Sequence, residues 1–389
     1  MRDGWAETTL DGIAEYINGY PFKPADLGEV GLPVIRIKQL LDPNEPVDRT
    51  NTDTPDRCLL RDGDIVFSWS GTLAVRIWNR GPAKLNQHLF RVIEKKGVYK
   101  GIIPLILDHA IEELEEKSHG TTMKHITKQT LLPHKVLLPP LPEQKRIVDL
   151  ISSVDSYIEA LQQQLESAKR SRNAVLHELL TAGGDDWIET SLGEIAEVVG
   201  GGTPSTTIGE YWDGDIVWLT PTEITSQDGK VVSDSIRKIT DLGFKNSGAQ
   251  MLPKDSVILT SRASVGFVAL AGKELCTNQG FQSLIPKPSV LSKFLMFWIQ
   301  QNRPEFESRS AGSTFKEISK SNVKSIKLQL PPLSEQKRIV EIVNTIDEVI
   351  SHTELTTSKA KNLRSGLLSE LLSGEHLIPS SYDKVMGAA

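Results

Sequence analysis

The sequence predicts an α+β protein in which two tandem homologous mixed domains alternate with two long helices, packed as an antiparallel coiled coil with pseudo-twofold symmetry. Three observations lead to this prediction. The chain of 389 residues contains two copies of one sequence pattern. Each copy contains short segments in which apolar and polar residues alternate as in strands, and each copy ends in a heptad pattern. A chain of this length is too long for one ordinary hydrophobic core and allows two or three domains.

The internal repeat is strongest just before each long helix. Residues 138–148 read LPPLPEQKRIV and residues 330–340 read LPPLSEQKRIV, so ten of eleven positions are identical at an offset of 192. Near the start of each copy Trp5 corresponds to Trp187 at an offset of 182, so the second copy carries ten additional residues. Two copies of one sequence pattern predict two domains of one fold.

The part of each copy before the helix has the pattern of strands and turns. Alternation of apolar and polar residues predicts half-buried strands at 34–38 and 64–68 in the first copy and at 216–219 and 256–260 in the second. Shorter helices are predicted at 104–116 and 291–308. Gly200–Gly202 leads into Thr-Pro-Ser rather than into a helix, which favours a flexible loop over a phosphate-binding turn.

Heptad spacing predicts the two long helices. The predicted packing seam consists of Ile147, Ile151, Val154, Ile158, Leu161 and Leu165 in the first helix and Ile339, Val343, Ile346, Ile350, Leu367 and Leu371 in the second. Arg172 and Arg364 occupy seam positions where an apolar residue is expected, and two threonines further weaken the second seam. A helix from Glu143 to Thr181 would be about 60 Å long at ~1.5 Å per residue. Two such helices with one apolar stripe each are expected to pack against one another.

The repeat and the helices together divide the chain into five segments. We expect a first globular domain at 1–141, a first long helix at 142–184, a second globular domain at 185–333, a second long helix at 334–376 and a tail at 377–389. The basic pairs Lys145-Arg146 and Lys337-Arg338 at the helix starts are expected to pair with acidic side chains one turn away.

Composition and missing motifs exclude several classes of protein. The chain is 39% hydrophobic and 24% charged, has no apolar run long enough for a membrane span, and contains two cysteines, so a cytoplasmic location is expected. GxxxxGK[ST], GxSxG, HExxH and paired CxxC motifs do not occur. The eight histidines show no ligand spacing, so neither a catalytic centre nor a metal site is expected.

The distribution of charge is compatible with nucleic-acid binding. The formal net charge is −6, but residues 61–100 hold 8 basic and 3 acidic residues, and residues 251–330 hold 11 and 5. Positive charge therefore lies in the later part of both copies, where it could attract phosphate groups.

The repeated LPPLxEQKRIV motif, followed by a heptad helix within a duplicated chain, resembles the DNA-specificity subunits of type I restriction–modification enzymes. The resemblance extends over roughly Trp5 to Ser373. It implies two target-recognition domains, each reading half of a split target in double-stranded DNA, with the helices setting the distance between the halves.

The resemblance also implies partners. Two methyltransferase subunits and, in some systems, restriction subunits would bind this chain. It implies no cofactor on the chain itself, with S-adenosylmethionine held by the methyltransferase and ATP and magnesium by the restriction partner.

Polar and basic residues of the predicted loops and strand faces are the candidate DNA contacts. They are Arg36, Lys38, Ser70, Thr72, Arg76, Thr122, Lys124 and His125 in the first copy, and Thr220, Thr222, Ser261, Arg262, Ser264, Thr314, Lys316 and Lys320 in the second. Arg262 could pair bidentately with guanine, whereas Lys124 and Lys316 suit phosphate. Asn86-Gln87 and Asn278-Gln279 could read adenine, but the alternative of hydrogen bonding at strand ends has equal support.

The two copies differ where DNA would be read. Polar loop positions that differ are Trp69 against Ser261, Ser70 against Arg262, His88 against Gly280, and His125 against Glu317. One fold with two reading surfaces predicts an asymmetric bipartite target.

Three alternatives remain open: a nuclease with a hidden catalytic site, a coiled-coil scaffold that does not bind DNA, and a methylation system that lacks a nuclease partner.

Overall fold

The computed structural model describes residues 4–117, 128–311, 316–376, 378–379 and 381–383. The chain forms two compact units, unit 1 from Met1–Gln162 with Leu355–Ala389 and unit 2 from Gln163–Glu354. Each unit combines one globular part with a segment of each long helix. Within the described ranges, no helix is both long and apolar enough to cross a membrane.

The globular part of unit 1 is built on short strands. These are β1 (Ala6–Thr9), β2 (Ala14–Asn18), β3 (Leu32–Ile35), β4 (Arg49–Thr50), β5 (Leu59–Leu60), β6 (Ile65–Ser68), β7 (Ala74–Ile77), β8 (Ala83–Leu85), β9 (Leu89–Glu94) and β10 (Lys135–Leu138). They form an antiparallel sheet in the order β2-β9-β6-β7, a mixed sheet in the order β4-β3-β8-β5, and the pair β1-β10. The helices are α1 (Leu10–Ile13), α2 (Ile37–Leu41), α3 (Ile102–Lys117), α4 (Lys128–Leu131) and α5 (Leu141–Thr181).

Unit 2 also contains two larger sheets and one two-stranded pair. Its strands are β11 (Ile188–Ser191), β12 (Ala196–Gly200), β13 (Trp212–Leu219), β14 (Val231–Val232), β15 (Lys238–Ile239), β16 (Val257–Leu259), β17 (Val268–Ala271), β18 (Cys276–Thr277), β19 (Gln282–Pro286) and β20 (Lys327–Leu330). The sheet orders are β12-β19-β16-β17-β14, β15-β13-β18 and β11-β20. The helices are α6 (Leu192–Ile195), α7 (Pro221–Thr225), α8 (Asp241–Lys245), α9 (Ser292–Gln301), α10 (Arg303–Ser308), α11 (Lys320–Ser325) and α12 (Leu333–Ser373).

The strand prediction at 34–38 is wrong in its second half. Strand β3 ends at Ile35, Arg36 is the N-cap of α2, and Lys38 is helical. The apolar–polar alternation continues into the first turn of a short helix, where it no longer reports strand faces. Arg36 and Lys38 therefore do not share the polar face of a strand.

Strands β6 and β16 are buried on both faces instead of alternating. Ile65 and Phe67 of β6 belong to one hydrophobic cluster and Val66 to another. Val257 and Leu259 of β16 likewise contribute to a different cluster from Ile258. Each strand lies inside its sheet with apolar side chains packed on both sides, so the prediction of half-buried strands is wrong here.

The helix predicted at 291–308 consists of two helices, α9 and α10. Asn302 ends α9, and a proline in the first turn of α10 starts a new helix rather than extending the old one. The helix predicted at 104–116 corresponds to α3, which begins two residues earlier and ends one residue later.

The long helices α5 and α12 have 41 residues each. Of the predicted seam residues, Ile147, Ile151, Ile158, Ile339, Val343 and Leu371 are buried, and Val154, Leu161, Leu165, Ile346, Ile350 and Leu367 are partly buried. In unit 1 the start of α5 shares a hydrophobic cluster with the end of α12. In unit 2 the end of α5 shares a cluster with the start of α12.

The charged residues at the two helix starts behave differently. Arg338 pairs with Glu335 one turn earlier at 3.1 Å, which confirms the local pairing predicted there. Arg146 pairs with Asp383 of the C-terminal segment at 2.6 Å rather than with an acid one turn away.

A buried glutamine connects each helix start to its globular part. In unit 1 the Gln144 side chain donates to the carbonyl oxygens of Pro139 at 2.8 Å and Gly97 at 3.2 Å, and its oxygen accepts from the Tyr99 amide at 2.7 Å. Gln144 is only 1% exposed. The backbone groups that would be orphaned at the helix entrance are thereby paired.

The same three hydrogen bonds recur in unit 2. Gln336, which is fully buried, donates to the carbonyl oxygens of Pro331 at 2.9 Å and Ser289 at 3.1 Å and accepts from the Leu291 amide at 2.8 Å. The glutamine of the repeated Glu-Gln motif therefore has the same structural role in both units.

Replacing this glutamine should destabilise its unit. Gln336→Leu leaves three buried backbone groups without partners, which we expect to cost about 1–3 kcal/mol for an unsatisfied group. The measurement is the midpoint of chemical denaturation, with the exposed Gln164→Leu as the matched control, expected to change stability by less than about 0.5 kcal/mol. Equal effects of the two substitutions would show that the connection contributes nothing.

Candidate nucleic-acid interface

A loop at a corresponding place follows β6 in unit 1 and β16 in unit 2. Residues 69–73 join β6 to β7, and residues 260–267 join β16 to β17. Ser68 donates its hydroxyl to the carbonyl oxygen of Thr72 at 2.6 Å, and Thr260 donates to that of Ser264 at 2.5 Å. Both loops are closed by a buried hydroxyl that bonds four residues ahead, so the loop backbone is held alike in each unit.

Four segments meet around this loop in unit 2. The Ser261 amide donates to Gly280 at 2.8 Å, the Ala263 amide donates to Lys316 at 3.0 Å, and the Ile318 amide donates to Ser261 at 3.0 Å. Gly280 in turn lies against Pro221, the first residue of α7. We call residues 220–222, 260–266, 278–280 and 316–318 the turn cluster of unit 2.

Arg262 is held by an acidic neighbour within this cluster. Its guanidinium lies 2.8 Å from the carboxylate of Glu317, and both side chains are nearly half exposed. The ion pair leaves the guanidinium of Arg262 partly exposed at the surface of the turn cluster.

Ser261 is a correction to the predicted contacts. Its side chain is completely buried, because its backbone is bonded on one side to Gly280 and on the other to Ile318. A buried hydroxyl cannot touch DNA in this conformation.

The turn cluster of unit 1 comprises residues 36–38, 68–74 and 86–88. Trp69 stacks on Phe90 with ring centres 5.5 Å apart and lies 6.3 Å from His88. Gly71 approaches the side chain of Ile37 in α2. Trp69 therefore packs against the core and supports the loop.

The helix start beside each loop uses an equivalent cap. Arg36 and Thr220 are the N-caps of α2 and α7, and their amides donate to Gln39 at 3.3 Å and to Glu223 at 2.9 Å. Glu223 also accepts from the Thr220 hydroxyl at 2.6 Å, which orients that candidate contact. Sequence reasoning missed this capping residue, although its three-residue spacing is a recognised signal for a helix start.

The Asn-Gln pair forms the same turn in both units. The amides of Asn86 and Asn278 donate to Ile35 and Leu219 at 3.1 Å, at the ends of β3 and β13. Their side-chain oxygens accept from the amides two residues ahead, at 3.3 Å and 2.8 Å. The asparagines therefore have the structural role, which was one of the two alternatives. Gln87 and Gln279 remain exposed beside the helix starts.

A close-packed glycine supports each Asn turn. A Cβ on Gly19 would lie 2.3 Å from the carbonyl oxygen of Asn86, and one on Gly201 would lie 2.1 Å from that of Asn278. Gly202 donates its amide to Thr277 at 2.9 Å. The prediction of a flexible loop at Gly200–Gly202 is wrong, because close backbone approach is what requires glycine here.

The other predicted contacts lie at the surface or outside the described residues. Lys38, Thr72, Arg76, Thr222, Lys316 and Lys320 are exposed, and Arg36, Ser70, Thr220 and Ser264 are partly exposed. Arg36 is paired with Asp48 at 2.6 Å. Thr122, Lys124, His125 and Thr314 lie outside the described residues.

A buried carboxyl group lies close to Arg76 in unit 1. Burial raises the pKa of Asp108 from its ordinary value of 3.8 to about 6, against the opposing effect of Arg364 and Arg76. The corresponding residue at the offset of 192 is Gln300, which cannot ionise. The two units therefore differ in charge at this position above pH 6.

In the part of the chain that the structure describes, no group of three or more His, Cys, Asp or Glu side chains is placed to hold a metal ion.

The two units thus contain similar mixed domains that display different side chains from corresponding turns. The family described as the type I restriction modification DNA specificity domain matches residues 2–170 and 184–361. The chain therefore belongs to the family of type I restriction–modification specificity subunits, which are non-catalytic DNA-recognition subunits. Family membership decides against the nuclease and against the scaffold that does not bind DNA.

Curated relatives are similar along the whole chain or part of it. A putative type I restriction enzyme MjaX specificity subunit of Methanocaldococcus jannaschii is 24% identical over 96% of this chain and 94% of its own length. The EcoBI specificity subunit of Escherichia coli is 25% identical over 96% of this chain and 87% of its length. The MjaIX specificity subunit of M. jannaschii is 38% identical over 43% of this chain and 39% of its length.

Solved structures share the fold. A chain from a type I R-M system assembly is 18% identical, with a TM-score of 0.65 over 96% of this chain and 98% of that chain. The type I S subunit from M. genitalium is 16% identical, with a TM-score of 0.54 over 95% of this chain and 96% of that chain.

The buried carboxyl group generates a pH prediction. Because the folded state holds the Asp108 proton up to about pH 6 while the unfolded chain loses it near pH 4, this group lowers stability as pH rises through that window. We expect Asp108→Asn to raise stability at pH 7.5 by up to about 3 kcal/mol and to have little effect near pH 4. Denaturation midpoints at the two pH values measure this, with the exposed Asp53→Asn as control; a gain independent of pH would contradict it.

Proposed function

We propose that this subunit directs adenine methyltransferase subunits to an asymmetric bipartite DNA target, with each turn cluster reading one half. One observation supports the proposal: the closed loop, the Asn turn and the helix cap are held by corresponding hydrogen bonds in both clusters, but the clusters display different side chains. Arg262 and Gly280 stand in unit 2 where Ser70 and His88 stand in unit 1. A shared backbone presents the side chains at similar positions, and different side chains select different bases.

The long helices are proposed as the spacer between the half-sites. Helices α5 and α12 would form one antiparallel coiled coil with pseudo-twofold symmetry, and the chain would divide at 1–141, 142–184, 185–333, 334–376 and 377–389. The shared hydrophobic clusters of helix start and helix end in each unit support this arrangement. A rod of about 60 Å can hold two domains one DNA turn apart, ~34 Å.

The duplicated chain suits two copies of one partner. Two methyltransferase subunits would bind, each supplying S-adenosylmethionine, and restriction subunits with ATP and magnesium would join in systems that cleave DNA. Such a complex would act in the cytoplasm, where the chromosome is accessible. A system that methylates without cleaving would use this chain in the same way.

The surface residues have separate proposed roles. Arg262 would contact a base edge after exchanging its bond with Glu317. Arg76, Lys38, Lys316 and Lys320 would neutralise phosphates, since each is exposed beside a turn cluster or on a neighbouring element. The hydroxyls and other polar candidates would adjust the fit at each half-site.

The proposal is tested by sequencing modified bases in cells that carry the methyltransferase gene with or without the gene for this chain. We expect one split, asymmetric methyladenine motif that appears only when this chain is present. A palindromic motif would refute the asymmetry. Unchanged methylation, with a methyltransferase that co-purifies with the chain, would refute the function.

Single substitutions should separate base reading from phosphate binding. Arg262→Ala should relax one base position in one half-site by about 1–3 kcal/mol and leave the other half-site unchanged. Lys316→Ala should weaken binding to every DNA sequence and lower its salt dependence. Competition binding with target variants measures both, and Lys273→Ala, an exposed lysine away from the turn cluster, is the control.

A further inference from the structure

Two ion pairs join α5 to α12, one in each unit. In unit 2 Arg172 Nε lies 2.8 Å from Asp347 Oδ1, and its Nη2 lies 3.3 Å from Oδ2. In unit 1 Arg364 Nε lies 2.6 Å from Asp155 Oδ1, and its Nη2 lies 3.1 Å from Oδ2. Each arginine thus holds both oxygens of one carboxylate, the geometry that best fixes orientation.

The two pairs are equivalent in the repeat. Arg172 and Arg364 differ by the offset of 192, and so do Asp155 and Asp347. Aspartate and arginine are 17 residues apart on each helix. Equal separations mean that one antiparallel register of the helices satisfies both pairs.

Both arginines occupy seam positions that the heptad pattern reserves for apolar residues. The Arg172 side chain is 14% exposed and that of Arg364 is 20% exposed, whereas their aspartates are 38% and 45% exposed. Such partly solvated pairs contribute little net stability. A slipped register would, however, leave a largely buried guanidinium without its carboxylate, which is costly.

A helix of the globular part also lies near each arginine. Arg172 also donates to Gln300 of α9 at 3.4 Å, and its guanidinium carbon lies 5.3 Å from the ring centre of Phe297. In unit 1 the carboxyl of Asp108 on α3 interacts with Arg364. Arg172 is therefore in contact with the globular part of its own unit as well as with the opposite helix.

We propose that the Arg172–Asp347 and Arg364–Asp155 pairs are register keys, which fix the alignment of α5 with α12 and thereby the number of base pairs between the half-sites. The inference rests on the proposed spacer role. A slip of one heptad moves one helix along the other by about 10 Å, equivalent to about three base pairs of DNA. A single polar pair in an apolar seam is a known means of specifying register at the expense of stability.

The test removes both ion pairs and keeps the apolar seam between the helices. In the key-removed variant, Arg172, Asp347, Arg364 and Asp155 are all replaced by Leu. In the matched control Asp347 and Asp155 are replaced by Glu, which keeps each arginine in its environment and keeps a carboxylate as its partner. Each variant is expressed with its methyltransferase, and modified-base sequencing gives the spacer of every methylated site.

A second readout follows the helices without DNA. Spin labels at Ser156→Cys on α5 and Leu363→Cys on α12 report the distance between the helices in unit 1. Both positions are exposed, and the native Cys58 and Cys276 are buried, so the labels attach selectively. A single register gives one distance, and a mixture gives a broadened or second distance.

We expect wild type and the Asp→Glu control to keep one spacer and one distance. The key-removed variant should fold, show additional distances, and raise the share of methylated sites with other spacers about tenfold. One unchanged spacer and distance in that variant would overturn the inference. Its unfolding would also overturn it, because the keys would then supply stability instead of register. Absence of any split motif with the wild type would refute the proposed function itself.

Discussion

The buried glutamine at each helix start is the contact on which the arrangement of the molecule depends. Gln144 and Gln336 each bond one carbonyl group directly before the long helix. Each also bonds one carbonyl and one amide in a distant loop, which follows β9 in unit 1 and β19 in unit 2. In the proposed function, a reading surface is useful only if its position relative to the spacer helix is fixed. The three hydrogen bonds of each glutamine connect the helix start to the globular part of the same unit. This contact also explains why the repeat is strongest at the helix entrance rather than at the surface loops.

The two units share a framework and differ at exposed positions, which is the division that the proposed reading surfaces require. The hydrogen bonds that close the loops, form the Asn turns and cap the helices correspond between the units. The exposed positions on those turns differ, as Ser70 and Arg262 do. Such a division allows one half-site to change without disturbing the fold, because a substitution at an exposed loop position alters few buried contacts.

Long-range regularities in the sequence were sufficient for the architecture. The repeat predicted two similar domains, and the heptad spacing predicted two long helices whose seam residues are all at least partly buried. Arg172 and Arg364 appeared only as interruptions of that seam. Their partners could not be identified, because pairing across helices depends on a register that a single helix does not reveal.

Local patterns were less reliable near the candidate site. Alternation around Arg36 suggested a strand face, but Arg36 is the N-cap of a helix, and its amide donates to the side chain of Gln39 three residues later. Ser261 looked like a loop residue open to DNA, and hydrogen bonds from two distant segments bury it. Comparing the copies residue by residue would have helped with Gly201, since Gly19 stands at the same place before the same Asn turn. Tertiary contacts, which local patterns do not contain, decide these positions.

The central claim is that each domain reads its own half-site on a common frame. It is tested most directly by replacing residues 1–140 with residues 185–332, so that both domains carry the second reading surface on unchanged helices. Modified-base sequencing of cells that express this chain with the methyltransferase should reveal a palindromic split motif built from one half-site twice, with the wild-type spacer. An asymmetric motif from a folded, methyltransferase-bound variant would contradict the account.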